Sequence, residues 1–136
     1  MKKLFSLCLF GILFLTACED LIQGPEDEIN SGPTNMRATF SSIQTEVFST
    51  TCALSGCHGG SQSPNLSAGQ AYDNLVNKAS IQNPSMMRVK PGESNNSYLM
   101  RKLTGDVTSR MPPAGELSQV KIDSIALWIN KDALNN

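Results

Sequence analysis

The stretch Cys52-Ala-Leu-Ser-Gly-Cys57-His58 places two thiols and an imidazole within seven residues. His58 is the only histidine of the 136-residue chain, and it directly follows the second cysteine. Thiolates and imidazoles are the protein groups that bind soft and borderline metals and attach to cofactors. This segment therefore bears on both the fold and the function of the chain.

The N-terminal residues are typical of an exported lipoprotein. Lys2 and Lys3 precede an apolar run of twelve residues, 4–15, and small residues then lead to Cys18. This is the pattern of a secretory signal, and its end resembles the bacterial lipobox, which is cleaved before a cysteine that carries lipid. The run is too short for a comfortable membrane span. We expect 1–17 to be a lipoprotein signal peptide and Cys18 to anchor the chain to a membrane; the alternative is an ordinary signal with a chance cysteine.

The remaining cysteines form one pair. Cys8 leaves with the signal and Cys18 takes the lipid, so the exported domain retains only Cys52 and Cys57. The compartment outside the cytoplasmic membrane is oxidising, and a cysteine pair there is either a disulfide or is occupied by a cofactor. A zinc site is disfavoured, because two thiolates and His58 leave the fourth ligand unaccounted for.

The histidine after the pair favours covalent haem attachment. The usual pattern for thioether bonds to the two haem vinyl groups is C-x-x-C-H, whereas four residues separate the cysteines here. The two extra residues must loop outward, and Ser55 and Gly56 give the backbone that freedom. His58 would bind iron through Nε2, with Nδ1–H held by a carbonyl. A Cys52–Cys57 disulfide beside an exposed histidine is the alternative.

The charge distribution divides the exported chain in two. Residues 18–36, which follow the signal, contain five acids and no base, and we expect an acylated cysteine followed by a solvated acidic linker. Residues 37–134 contain nine Lys and Arg against seven Asp and Glu, and their length fits one domain. This weakly basic balance does not support nucleic-acid binding. The domain is poor in large apolar residues, and a haem would supply part of its core.

Helical periodicity dominates the domain. Phe40, Ile43, Val47 and Phe48 share one helical face, with Ser41 or Ser42 as a candidate cap. A second helix is predicted over 68–79. A third is predicted over 98–103, with a cap at Asn96-Ser97 and an end at Gly105. A last helix is predicted to follow a cap at Ser118. The last helix carries an apolar face from Ile122 to Ala133, with Trp128 at its margin. The stretch 80–95 is predicted to be loop, and alternating strands are absent, so the fold class is all-α.

Met111 is the strongest candidate for a second axial ligand of the iron. Pro112 and Pro113 stiffen the backbone behind it, which helps to hold a weakly binding thioether in place. Met86 and Met87 lie in a loop and remain possible. Met36 falls in the linker, and Met100 is more typical of gap-filling core.

These pieces, in this order, resemble a monohaem class I cytochrome c, in the variety common in bacterial lipoproteins with a C-x4-C-H site. The resemblance covers about residues 40–130. It is carried by four segments: Phe48-Ser-Thr-Thr-Cys52…Cys57-His58-Gly59, Lys90-Pro-Gly…Ser97-Tyr-Leu, Arg110-Met111-Pro112-Pro113 and Leu117-Ser118…Ile125…Trp128-Ile129. The spacing of the cysteines is the departure from the family's usual pattern.

The resemblance implies a small bundle of about four helices around one covalent haem c. It implies thioethers at Cys52 and Cys57, and His58 and Met111 as axial ligands. With both axial positions filled, no substrate binds at the iron, and the chain is an electron carrier rather than an enzyme. Its partners would be redox proteins and, through Cys18, a membrane. The location would be the cell envelope, on the periplasmic face or at the outer membrane.

Five bases are concentrated between residues 88 and 110. They are predicted to neutralise haem propionates or to dock an acidic redox partner, and the alternative is an ordinary solvated surface. The five are Arg88, Lys90, Arg101, Lys102 and Arg110.

Overall fold

The computed structural model describes residues 36–107 and 109–136. The expected signal peptide, the lipidated Cys18 and nearly all of the acidic linker lie outside the described residues. Within them the chain forms six helical segments and no strand, and no helix is both long enough and apolar enough to cross a membrane. The all-α bundle around a haem stays a prediction, because helices alone do not identify that fold.

The first helical segment begins one residue after a threonine cap. Helix α1 spans Phe40–Ile43, and the side chain of Thr39 accepts a hydrogen bond from the Ser42 amide at 3.3 Å. The prediction of Ser41 or Ser42 as the cap was therefore wrong. Thr39 is extended and precedes the first apolar residue, which is the position that a capping hydroxyl needs.

A π-helix, Gln44–Cys52, continues α1 without a break. Its wider winding is seen at its end, where the Ala53 amide donates to the Phe48 carbonyl five residues back, at 2.7 Å. The predicted apolar face is confirmed, since Phe40, Ile43, Val47 and Phe48 are all buried. The π-helix ends at Cys52, so the first thiol is carried on a regular element.

Helix α2 is shorter than its periodicity predicts. It spans Ala71–Leu75, and Val76 is already extended. Residues 76–79 leave the helix because they pair with the segment 87–89. Val76 bridges Val89, Ala79 bridges Met87, and the Val89 amide donates to the Leu75 carbonyl at 3.1 Å. Tertiary pairing has overridden the local helical preference.

The stretch after α2 is loop, as predicted, apart from one 3₁₀ turn at Ser94–Asn96. Helix α3 spans Tyr98–Thr104 and ends at Gly105, whose φ of +82° is the left-handed conformation of a helix end. Ser97 precedes α3 without capping it. Its buried hydroxyl instead accepts from the Lys90 amide at 2.8 Å and donates to the Glu93 carbonyl at 2.9 Å.

Helix α4 spans Gln119–Asn130 and follows Ser118, the residue predicted to begin it. Trp128, predicted at the margin of the apolar face of this helix, is 1% exposed and therefore belongs to the core. Its Nε1 donates to the Leu134 carbonyl at 2.8 Å, which allows the indole to be buried. The Trp128 ring packs against Phe40, with ring centroids 5.6 Å apart.

Met36, which was assigned to the linker, belongs to the core. It is 1% exposed, and its carbonyl accepts a hydrogen bond from the Ser124 hydroxyl of α4 at 3.3 Å. Met100 is buried, as expected of a gap-filling residue. The folded part of the chain therefore includes the last residue of the expected linker.

Candidate functional site

A cavity of about 360 Å³ lies beside the C-terminal end of the π-helix. Cys52, Cys57, His58 and Met111 all line it, so the structure brings the four predicted cofactor residues to one space. Met86 and Met87 are not among its lining residues. Much of its wall is apolar, formed by Val47, Phe48, Leu66, Leu75, Leu99 and Leu103.

The turn between the two cysteines is closed by the backbone. The His58 amide donates to the Cys52 carbonyl at 3.0 Å, and the Cys57 amide donates to the Leu54 carbonyl at 3.0 Å. Gly56 adopts a φ of +78°, and the residues 54–56 are exposed. The prediction that the extra residues loop outward is confirmed. Both thiols and the imidazole consequently stay at the cavity despite the longer spacing.

The imidazole of His58 is held by one defined contact. Its Nδ1 lies 2.9 Å from the carbonyl oxygen of Pro64. Because a carbonyl only accepts, Nδ1 carries the hydrogen of this contact, and in the neutral ring Nε2 keeps the lone pair that a metal needs. The expected carbonyl partner is present. Nothing in the sequence pattern marked Pro64, since the contact depends on the path of the loop 59–66.

Gly59 follows the histidine where no side chain fits. A Cβ at this position would lie 2.6 Å from the Ala53 carbonyl oxygen and 3.0 Å from that of Leu54. Both atoms are backbone, so they cannot move aside as a flexible side chain would. The loop after His58 is therefore packed directly against the turn between the cysteines.

The two thiols differ in their surroundings. Cys52 is half-buried, Cys57 is exposed, and the two are not bonded to each other. Burial raises the pKa of the Cys52 thiol from its ordinary 9.0 to about 11; the neighbouring Cys57 adds to the rise, and Lys121 opposes it. Cys52 is therefore held as a neutral thiol on the cavity wall. A thiol of this kind is a poor nucleophile at neutral pH.

Met111 reaches the cavity from the loop that follows α3. Its amide donates to the Lys102 carbonyl at 2.9 Å. The neighbouring Arg110 donates from Nη2 to the Thr104 carbonyl at 2.8 Å and forms an ion pair with Glu116. The loop is thus tied back onto the end of α3, and the thioether is presented from a fixed backbone.

The five bases do not form one patch. Arg88 and Lys102 line the cavity, and Lys102 is only 8% exposed, with its ammonium 5.9 Å from the centre of the Tyr98 ring. Lys90 instead pairs with Glu93 at 2.6 Å on the surface. The predicted basic segment thus contributes two cations to the cavity wall.

Comparisons with protein-family models, curated proteins and solved structures found no match to this chain. Among residues 36–107 and 109–136, no group of three or more His, Cys, Asp and Glu side chains is arranged to hold a metal ion. That finding concerns a free ion held by side chains alone. A haem iron is coordinated largely by its porphyrin and needs only axial ligands from the protein.

Proposed function

We propose that the chain is a lipid-anchored monohaem c-type cytochrome that carries single electrons outside the cytoplasmic membrane. The observation that supports this most is the convergence on one cavity of Cys52, Cys57, His58 and Met111. These residues come from the π-helix, the following turn and a loop more than fifty positions away. They fit the donor set of a covalently held haem with histidine and methionine as axial ligands.

The bound haem would supply a one-electron iron couple. Cys52 and Cys57 would hold it through thioethers, His58 would bind through Nε2, and Met111 would bind through Sδ. Ligation by histidine and methionine together would raise the reduction potential. Since both axial positions are then filled by the protein, electron transfer is favoured over catalysis at the iron.

The walls of the cavity suit a large flat apolar body with acidic groups. A cavity of about 360 Å³ falls in the usual size range of cofactor sites. Arg88 and Lys102 line the cavity and would supply positive charge near the propionates.

The competing proposal is a non-redox lipoprotein whose Cys52 and Cys57 form a disulfide. Under this proposal the apolar cavity beside the pair would lack an occupant. That observation favours the cytochrome.

One mass measurement separates the two proposals. The chain is expressed together with a haem-attachment system, and the tryptic peptide that contains residues 52–58 is weighed. A mass increased by one haem supports the cytochrome. A loss of two hydrogens supports the disulfide, and unmodified thiols would contradict both. A Cys52→Ala/Cys57→Ala variant is the control and should release any bound haem in acidified organic solvent.

A further inference from the structure

The loop 59–66, which contacts His58 through Pro64, is anchored by the side chain of Arg88 in the segment 87–89. Arg88 donates from Nη2 to the Ser63 hydroxyl at 3.3 Å and from Nη1 to the Asn74 carbonyl at 2.7 Å. Ser63 directly precedes Pro64, whose carbonyl accepts from His58. One guanidinium therefore connects the end of α2 to the peptide next to the histidine's partner.

The backbone of Arg88 is itself fixed. Its amide donates to the Lys78 carbonyl at 2.7 Å, and its carbonyl accepts from the Leu99 amide at 2.9 Å. The guanidinium is thus extended from a rigid base toward Ser63. A planar guanidinium can serve two acceptors at once with defined geometry, which a lysine ammonium does not reproduce.

The far end of the loop is held independently. Leu66 donates its amide to the His58 carbonyl at 2.7 Å, and its own carbonyl accepts from Nε2 of the buried Gln44 at 3.1 Å. Pro64 lies between this anchor and Ser63, and the Ser63–Pro64 peptide has no N–H through which it could be held. The contact of the Ser63 side chain with Arg88 therefore fixes this end of the loop, next to the Pro64 carbonyl.

We infer that Arg88 is a positioning residue for His58: by holding Ser63 to the end of α2, it keeps the Pro64 carbonyl on Nδ1 and so fixes the imidazole's tautomer and direction. The consequence for iron rests on the proposed function. The effect on the imidazole does not rest on the proposed function, because all the hydrogen bonds that connect Arg88 to His58 are made by the protein itself.

The test follows the Nδ1 proton of His58 by ¹H–¹⁵N NMR of the full-length chain. His58 is the only histidine, so its ring signals are unambiguous. Arg88→Lys keeps the charge and Ser63→Ala keeps the guanidinium, but each removes the contact between them. Since one hydrogen bond is at stake, we expect solvent exchange of this proton to be accelerated roughly two- to ten-fold in both variants. The double variant should show no larger effect than either single variant.

Ser61→Ala is the matched control, an exposed serine of the same loop, and it should leave the exchange rate unchanged. The inference is overturned if Ser63→Ala exchanges like the wild type, if the two effects simply add, or if no Nδ1 proton is seen in the wild type. Haem content is measured by mass on the same samples. If the chain contains no haem, the proposed function is contradicted. The role of Arg88 is still tested, because the exchange of the Nδ1 proton can be compared among the haem-free variants.

In haem-loaded samples, the reduction potential gives a second readout. Loss of the hydrogen bond from Nδ1–H to the Pro64 carbonyl weakens the histidine as an electron donor to iron, so Ser63→Ala and Arg88→Lys should shift the potential in the same direction. An equal shift in Ser61→Ala, or opposite shifts in the first two variants, would contradict the inference.

Discussion

Replacing Gly59 by alanine tests whether the loop after His58 is packed against the turn between the cysteines. The added Cβ would lie 2.6 Å from one backbone carbonyl oxygen and 3.0 Å from the next. Relief requires the segment 57–59 to move away from 53–54. That movement breaks the 3.0 Å hydrogen bond from the His58 amide to the Cys52 carbonyl.

The expected loss is about 1–3 kcal/mol in the free energy of unfolding, the usual cost of overpacking. It should appear as a lower denaturant midpoint with an unchanged slope. We also expect incomplete thioether formation, since the two sulfurs no longer face the cavity at their original separation. Both effects are measured on the same preparation, by denaturant titration followed by intact mass.

Gly69→Ala is the control for Gly59→Ala. Gly69 has a φ of +75° and nothing within 4 Å of its would-be Cβ. Its replacement therefore adds backbone strain of about 1–2 kcal/mol without a clash, and haem attachment should be complete. If Gly59→Ala retains the wild-type midpoint and a full haem mass, the close packing deduced for this turn is refuted.

Four further outcomes are expected. Met111→Ala should abolish the iron–sulfur charge-transfer band and lower the reduction potential, whereas the same change at the exposed Met87 should do neither. Burial raises the pKa of Cys52 to about 11, so the folded chain keeps a proton that the unfolded chain releases near pH 9. The free energy of unfolding of the haem-free chain should therefore fall between about pH 9 and 11. Cys52→Ala should remove that fall. Trp128→Ala should cost about 3–5 kcal/mol in a denaturant titration. Cys18→Ser should leave the protein in the soluble fraction after cell lysis, and continued membrane association would contradict the lipid anchor.

Periodicity predicted the helices that are held by their own apolar faces. The face from Phe40 to Phe48 and the helix after Ser118 are both present. Periodicity failed over 76–79, where pairing with the segment 87–89 outweighs the local helical preference. Composition placed Met36 in the linker and was wrong, because the depth of burial depends on which elements pack together, here on a contact with α4.

The candidate site was predictable as a set of residues but not as a geometry. The order of cysteines, histidine and Met-Pro-Pro selected four of the residues that line the cavity, Cys52, Cys57, His58 and Met111. The contacts that orient them come from residues without chemical character of their own, such as the Pro64 carbonyl and the backbone of Gly59. Such contacts are set by the path of the chain and leave no pattern of residue types.

The four-residue cysteine spacing is best understood from the hydrogen bond between the His58 amide and the Cys52 carbonyl. This bond joins the two ends of the turn, so the intervening length affects only the exposed part of the loop. Leu54 is 47% exposed, and Gly56 has open space around it. A longer spacing is therefore accommodated on the solvent side, while the positions of the first thiol and the imidazole are set by the π-helix and by the Pro64 carbonyl. The departure from the usual C-x-x-C-H spacing is consistent with the proposed attachment of haem at both sulfurs.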